Sequence, residues 1–84
     1  MTEERVEHII SRIIETLKTD PTLTEEQRED GLSEVEIASL QLNAAERNEP
    51  LLAWALESLE GILSLNALVK ELRAKATRKF SHRA

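Results

Sequence analysis

The side chains that could bind a metal in this sequence are two histidines and their acidic neighbours. His8 has Glu4 one helical turn before it and Glu7 beside it. A protein metal site of this type needs further nitrogen or thiolate ligands. The second histidine, His82, lies near the end of the chain, and cysteine is absent. We therefore interpret both histidines as solvated side chains and predict neither a metal nor another cofactor.

Paired carboxylates are the groups most often used for general acid–base catalysis. They occur at four places: Glu3/Glu4, Glu25/Glu26, Glu29/Asp30 and Glu57/Glu60. Such catalysis requires carboxyls in a cleft with shifted pKa values, whereas these pairs fall on predicted outward helix faces or in first turns. No glycine-rich phosphate loop and no nucleophile motif occurs. We expect a protein that is not an enzyme.

The C-terminal end is basic although the chain as a whole is acidic. Residues 1–69 carry 15 acidic and 5 basic side chains (−10), and residues 70–84 carry 1 acidic and 6 basic side chains (+5), which gives the net charge of −5. The candidate anion contacts are Lys70, Arg73, Lys75, Arg78, Lys79 and Arg83. Three interpretations stay open: a solvated helix end, pairing with the acidic surface of a second copy, or contacts with the phosphates of nucleic acid or of a membrane.

Helices must position these residues, because apolar residues recur at helical spacing in three segments. A capping box of Thr24 and Gln27 opens the second segment, and Pro50 suits the first turn of the third. We predict an all-α fold with a single domain over residues 1–84, built from three antiparallel helices with a long C-terminal one. The predicted helices and tail are about 3–19, 25–47, 50–79 and 80–84.

The apolar pattern exceeds what three helices can bury among themselves. The second helix has apolar residues on two opposite sides, and a third helix of about 28 residues would be roughly 42 Å long. Together, Gly61, Ser64 and Asn66 predict only a mild bend in that helix. A symmetric homodimer that completes a helical bundle would cover the excess. The candidate interface comprises Ile37, Leu40, Ala44, Trp54, Leu65, Leu68, Val69 and Leu72; Trp54 alone is equally well interpreted as a core residue or as an interface anchor.

Residues 32–63 resemble a helical accessory segment that occurs in bacterial proteins of unknown function. The matching residues are Leu32-x-x-Val35-x-Ile37-x-x-Leu40-Gln41, then Glu49-Pro50, then Ala55-Leu56-Glu57-Ser58-Leu59-x-x-Ile62-Leu63. In that segment a similar stretch precedes an apolar end rich in glycine and alanine, which this chain lacks from Ser64 onward. The resemblance implies a helical interaction module without catalytic activity.

Composition narrows the class of protein further. The sequence contains no stretch of 18 apolar residues, so it predicts no membrane span. The N-terminus has no basic and hydrophobic leader, so we expect a cytoplasmic protein. The function that fits is a small acidic adaptor, inhibitor or regulatory subunit that acts as a helical homodimer and binds another protein. The alternative is a small nucleic-acid-binding helical dimer that uses the basic C-terminal end, although the acidic body disfavours it.

Overall fold

The computed structural model describes residues 5–81, with the side chains of residues 5–76. This part of the chain consists of helices and turns, so the predicted all-α fold class is confirmed. The elements are α1 (Val6–Thr19), α2 (Glu25–Asn43), α3 (Glu49–Glu60), a 3-10 turn (Leu63–Leu65) and α4 (Asn66–Ser81). The predicted number of helices is wrong, because residues 50–79 form two helices instead of one.

A sharp corner stands where a mild bend was predicted. The axes of α3 and α4 differ in direction by 114°. Gly61 still has a helical backbone (φ −68°, ψ −15°), and Ile62 is the residue that turns the chain, with φ −86° and ψ 119°. The corner folds the apolar side of α4 back onto the other helices and removes it from water. A straight helix would have left that side exposed.

Polar side chains hold the corner in place from both sides. The Ser64 hydroxyl donates a hydrogen bond to a carboxylate oxygen of Asp20, 2.6 Å away, and so joins the corner to the loop between α1 and α2. The Asn66 amide donates to the Glu60 carbonyl at 3.1 Å, and the Arg73 guanidinium pairs with the Glu60 carboxylate at 3.0 Å. The Asn66 amide thereby satisfies the Glu60 carbonyl, one of the last carbonyls of α3 that the break leaves without a partner in the helix.

Two helix ends differ from the predictions. α1 begins at Val6 because Arg5 is extended, and residues 1–4 lie outside the described part of the chain. α2 ends at Asn43 and not at 47, because the Gln41 side chain accepts a hydrogen bond from the Asn48 backbone at 2.7 Å and turns the chain early. The Asn48 side chain then caps α3 through the Leu51 N–H, 3.1 Å away.

The core lies between four helices that each pack against two neighbours. α2 packs most extensively against α3, α1 packs against α2 and α4, and α3 packs against α4. The Cα atoms span 42 × 32 × 16 Å, so the molecule is about two helices thick. The buried apolar residues are Ile9, Ile10, Ile13, Leu17, Val35, Ala38, Leu42, Leu52, Ala55, Leu56, Leu59, Leu65, Val69, Leu72 and Ala76.

The junction of α1 and α2 depends on a glycine and an arginine. Gly31 is buried, and a Cβ atom there would lie 2.7 Å from a methyl carbon of Leu17. The glycine therefore permits a close approach of the two helices. The Arg28 guanidinium donates to the carbonyls of Leu17, Asp20 and Leu23, which stabilises the end of α1 and the following loop.

α4 continues to Ser81, so the predicted tail at 80–84 starts later than expected. Residues 82–84 lie outside the described residues, as do the side chains from Thr77 onward. No single helix of the described part has both the length and the apolar character to cross a membrane. α3 and the beginning of α4 meet those two criteria only when taken together, and the corner separates them.

Candidate protein-binding surface

Leu40 is a large apolar side chain on the outward side of α2. It is 62% exposed, whereas Val35, Ala38 and Leu42 of the same helix are buried. At about 100° per residue, Leu40 lies nearly opposite the centre of those three residues. The helix therefore carries apolar surface on a side that no other described element covers fully.

Trp54 occupies the corresponding position on α3. It is 49% exposed. At about 100° per residue it lies roughly 150° from the centre of the buried side of α3, which is formed by Leu52, Ala55, Leu56 and Leu59. Trp54 is therefore not a fully buried core residue, and a partly buried core position and an interface anchor both fit this exposure. A half-exposed tryptophan can bury a large area against a partner at a small cost in side-chain entropy.

Leu40 and Trp54 lie near the same end of the α2–α3 pair. Leu40 is three residues before the end of α2 at Asn43, and Trp54 is five residues after the start of α3 at Glu49. Both therefore lie within about a turn and a half of the connection between these helices. We call these two outward side chains the hairpin patch.

Exposed acidic side chains accompany both members of the hairpin patch. Glu36 precedes Leu40 by one helical turn, and Glu57 follows Trp54 by three residues. Residues three or four apart are neighbours on a helix surface, so each apolar side chain has a carboxylate beside it. Apolar contact area with a negatively charged edge is suited to a partner surface with the opposite charge.

The other predicted interface residues are less exposed. Leu65, Val69 and Leu72 are fully buried in the core of the single chain, so none of them lies on its surface in this conformation. The prediction assumed a straight helix that extends beyond its neighbours, but the corner returns these side chains to the core. Ile37 and Leu68 are partly buried against the core, and Ala44 is also partly buried.

Leu63 is an exposed apolar residue outside the predicted interface. It lies in the 3-10 turn and is 90% exposed. Its spacing from Leu59 predicts that the two leucines share one helical face. The break at Ile62 instead leaves Leu59 buried and Leu63 exposed. Leu63 borders a groove of about 550 Å³ whose walls include Asp20, Leu23 and Ser64.

The predicted anion contacts do not form one basic face in the part of α4 whose side chains are described. Arg73 pairs with Glu60. Lys70 is exposed and Lys75 partly buried, and the two lie about 140° apart around the helix. The side chains of Arg78 and Lys79, and the whole of Arg83, lie outside the described part.

Asp20 and His8 are two titratable side chains of the described residues that could act as a base or bind a metal. A hydrogen bond from Ser64 and two from Thr22 hold the pKa of Asp20 below its ordinary value, with Arg28 contributing less. Asp20 is therefore a hydrogen-bond acceptor at neutral pH and poorly suited to act as a base. His8 is exposed, and no three acidic or histidine side chains among those described are grouped as metal ligands.

A second groove, of about 350 Å³, lies between α3 and α4. Leu52, Leu56 and Ala76 contribute its apolar part, and Arg47 and Glu57 its charged edge. Small-molecule sites combine an apolar pocket with a few convergent polar groups, often with perturbed pKa values. Arg73 lines the same groove and is paired with Glu60.

Comparisons with known proteins leave the chain without an assigned relative. No protein-family model matches it, and no match is found among curated proteins or solved structures. The resemblance of residues 32–63 to a bacterial helical segment therefore stays a prediction.

Proposed function

We propose that this chain is a small non-enzymatic protein-binding module, an acidic adaptor, inhibitor or regulatory subunit, that acts as a homodimer. The observation that carries the proposal is the exposure of Trp54 and Leu40 near one end of the α2–α3 pair. Tryptophan is among the residues most enriched at binding hot spots. A surface with exposed large apolar side chains is typical of interaction sites.

The charge around the hairpin patch favours a basic partner. Glu36 and Glu57 flank the two apolar residues, and α2 carries six acidic side chains and one basic one. The partner that fits is a protein with an apolar surface edged by lysine or arginine. Such contacts raise the association rate and lose strength in salt.

The experiment is affinity capture from the native host with four versions of the protein: wild type, Leu40→Glu, Trp54→Ser and Ala67→Glu. Ala67 is exposed on α4 and receives the same charge as Leu40, so it serves as the matched control. We expect wild type and Ala67→Glu to capture a partner protein that both patch variants fail to capture. Nuclease treatment should not release this partner.

Fluorescence then tests direct contact, because Trp54 is the only tryptophan and tyrosine is absent. Adding the purified partner should shift the emission of Trp54 to shorter wavelength as water leaves the indole ring.

Capture of the partner that neither patch variant reduces would contradict the proposal. Capture that disappears with nuclease would favour the nucleic-acid alternative, for which the described part of α4 offers no continuous basic face.

A further inference from the structure

We infer that two copies of this chain pair by exchanging α4. In this arrangement the corner opens, residues 49–81 become one continuous helix, and α4 of each copy packs against α1 and α3 of the other. The inference rests on the proposed homodimer and specifies how it forms. It leaves the hairpin patch of both copies free, so the dimer would present two partner sites.

The backbone of the corner needs little change to become helical. Gly61 and Asn66 already have right-handed helical angles. Ile62 is extended, with ψ 119°, and a rotation of about 160° brings its ψ to the helical value. The described residues have no positive φ, and no proline follows Pro50. One residue therefore separates the closed corner from a straight helix.

The sequence has helical spacing on both sides of the corner without interruption. Leu52, Leu56, Leu59 and Leu63 follow one another at steps of four, three and four. In the closed corner Leu63 is 90% exposed, although the other three leucines of this series are buried. In a continuous helix Leu63 joins their side. Opening therefore places Leu63, the most exposed of the large apolar side chains in the described residues, on an apolar helix face.

Exchange preserves the contacts that α4 makes in the closed molecule. Val69 and Leu72 are fully buried and Ala76 nearly so, against elements that include α1 and α3. A second copy offers the same two helices, so these side chains can be buried equally well between chains. The balance between monomer and exchanged dimer then depends on the hinge, residues 61–64.

The hinge has specific contacts that favour the closed form. The Ser64–Asp20 and Asn66–Glu60 hydrogen bonds both require the corner. Two effects favour the open form: a straight hinge would gain helical hydrogen bonds, and Leu63 would join an apolar helix face. Since closed and open forms differ at so few residues, single substitutions should move the equilibrium in either direction.

Leu63→Pro and Gly61→Ala test the hinge in opposite directions. Proline fits the closed corner, because Leu63 opens the 3-10 turn and Ile62 has the extended backbone that proline requires before it. In a continuous helix the same proline would lose a hydrogen bond and clash with the Leu59 carbonyl. An alanine Cβ at position 61 would lie 3.3 Å from the Ser58 carbonyl in the closed corner, which is tight and therefore disfavours the closed form.

Each protein is unfolded, refolded at millimolar concentration, and analysed by sedimentation after dilution. We expect a wild-type dimer that separates slowly, because exchange requires opening of the core. Gly61→Ala should raise the dimerisation constant, because its tight Cβ contact is made in the closed corner, and Leu63→Pro should lower it about 10⁴-fold. The helical circular dichroism of the Leu63→Pro monomer serves as the folding control.

Distances within one chain identify the open hinge directly. Spin labels at Ala53→Cys and Ala74→Cys, both exposed positions, should be about 32 Å apart along a straight helix. In the closed molecule they should be much closer, because Ala53 and Arg73, the neighbour of Ala74, border the same groove. Refolding with excess unlabelled protein restricts the signal to labels on one chain.

Three results would overturn the exchange: a dimer with the short closed distance, a dimer that Leu63→Pro leaves intact, or monomers alone for both wild type and Gly61→Ala. The Leu40→Glu variant separates this inference from partner binding by the hairpin patch. We expect it to lose the partner and to keep the exchanged dimer. A dimer that Leu40→Glu dissociates would contradict exchange and would place self-association at the patch.

Discussion

Glu34 shows how partial burial and a neighbouring charge act on one residue. Burial, and secondarily Asp30 one turn earlier on α2, raise the pKa of Glu34 above its ordinary value. The fold therefore disfavours the charged form, and stability should increase as the pH falls through the raised pKa. Below the pKa of the unfolded chain this penalty is absent.

We predict that Glu34→Gln stabilises the protein at neutral pH by about 0.2–0.5 kcal/mol, the range for a like-charge pair four residues apart on a helix. The measurement is urea unfolding of both proteins at neutral and at acidic pH. Glu36→Gln, at an exposed position on the same helix, is the control and should change little. Equal effects of the two substitutions would contradict the role of burial.

Asp20 has the opposite dependence on pH. Its pKa is lowered, first by the Ser64 hydroxyl and then by Thr22, so its ionised form stabilises the fold. That contribution is complete above the unfolded pKa of about 3.9 and is lost as the pH falls through the lower folded value. We expect Asp20→Asn to lower the urea midpoint at neutral pH.

The difference between Asp20→Asn and wild type should narrow below a pH of about 4. Ser64→Ala removes the shortest of the hydrogen bonds to Asp20, at 2.6 Å, and the double variant should be less destabilised than the sum of the two singles. Additive effects would show that Asp20 acts through other contacts.

Single residues also show where sequence patterns are ambiguous. Asparagine at position 48 could end α2 in a left-handed conformation, but it has φ −87° and caps the start of α3. Both roles suit asparagine at a helix boundary. The contact between Gln41 and the Asn48 backbone decided between them, and no rule of local spacing predicts that contact.

At the scale of elements, the capping box at the start of α2 is a local feature that the sequence predicts and the structure confirms. The Thr24 hydroxyl accepts from the Gln27 N–H at 3.0 Å, and the Gln27 side chain accepts from the Thr24 N–H at 2.9 Å. It satisfies two backbone donors that would otherwise lack partners.

We expect Thr24→Ala to cost about 1 kcal/mol of stability, as measured by urea unfolding. Thr19→Ala is the matched control, because the Thr19 hydroxyl only bonds back to the Glu15 carbonyl within α1. That substitution should have an effect within about 0.5 kcal/mol. A similar loss from both variants would show that the capping box contributes nothing specific.

At the scale of the whole molecule, the corner can be tested with two leucines one helical turn apart. Leu59 is fully buried and Leu63 is 90% exposed. In a single straight helix both would share one side and have similar burial. The corner gives them different environments, so equivalent substitutions should have very different effects.

We predict that Leu59→Ala destabilises the protein by about 2–5 kcal/mol, whereas Leu63→Ala changes stability by about 0.5 kcal/mol or less. Thermal or urea unfolding of the two variants is the measurement, made at micromolar concentration to favour the monomer. Similar losses from both variants would support the continuous helix that the sequence alone predicted. Leu59→Glu should unfold the chain, since it would bury a charge without a partner.

The sequence by itself determined the features that depend on neighbours along the chain. Helical spacing, the Thr24 capping box and Pro50 were enough for the all-α class and for the start of α2, with the start of α3 predicted to within one residue. They also placed Leu40 on the side of α2 opposite Val35 and Ala38, and so identified half of the hairpin patch. These features follow from backbone geometry and short-range hydrogen bonds.

Only the tertiary structure decided the corner, the burial of Leu65, Val69 and Leu72, and the exposure of Leu63. Helix propensity near Ile62 allows both a straight and a bent chain, so local sequence cannot choose between them. The choice comes from contacts between distant segments: the apolar side of α4 is buried against α1 and α3, and Ser64 bonds to Asp20, 44 residues away. Burial of that surface outweighs the few helical hydrogen bonds that the corner gives up.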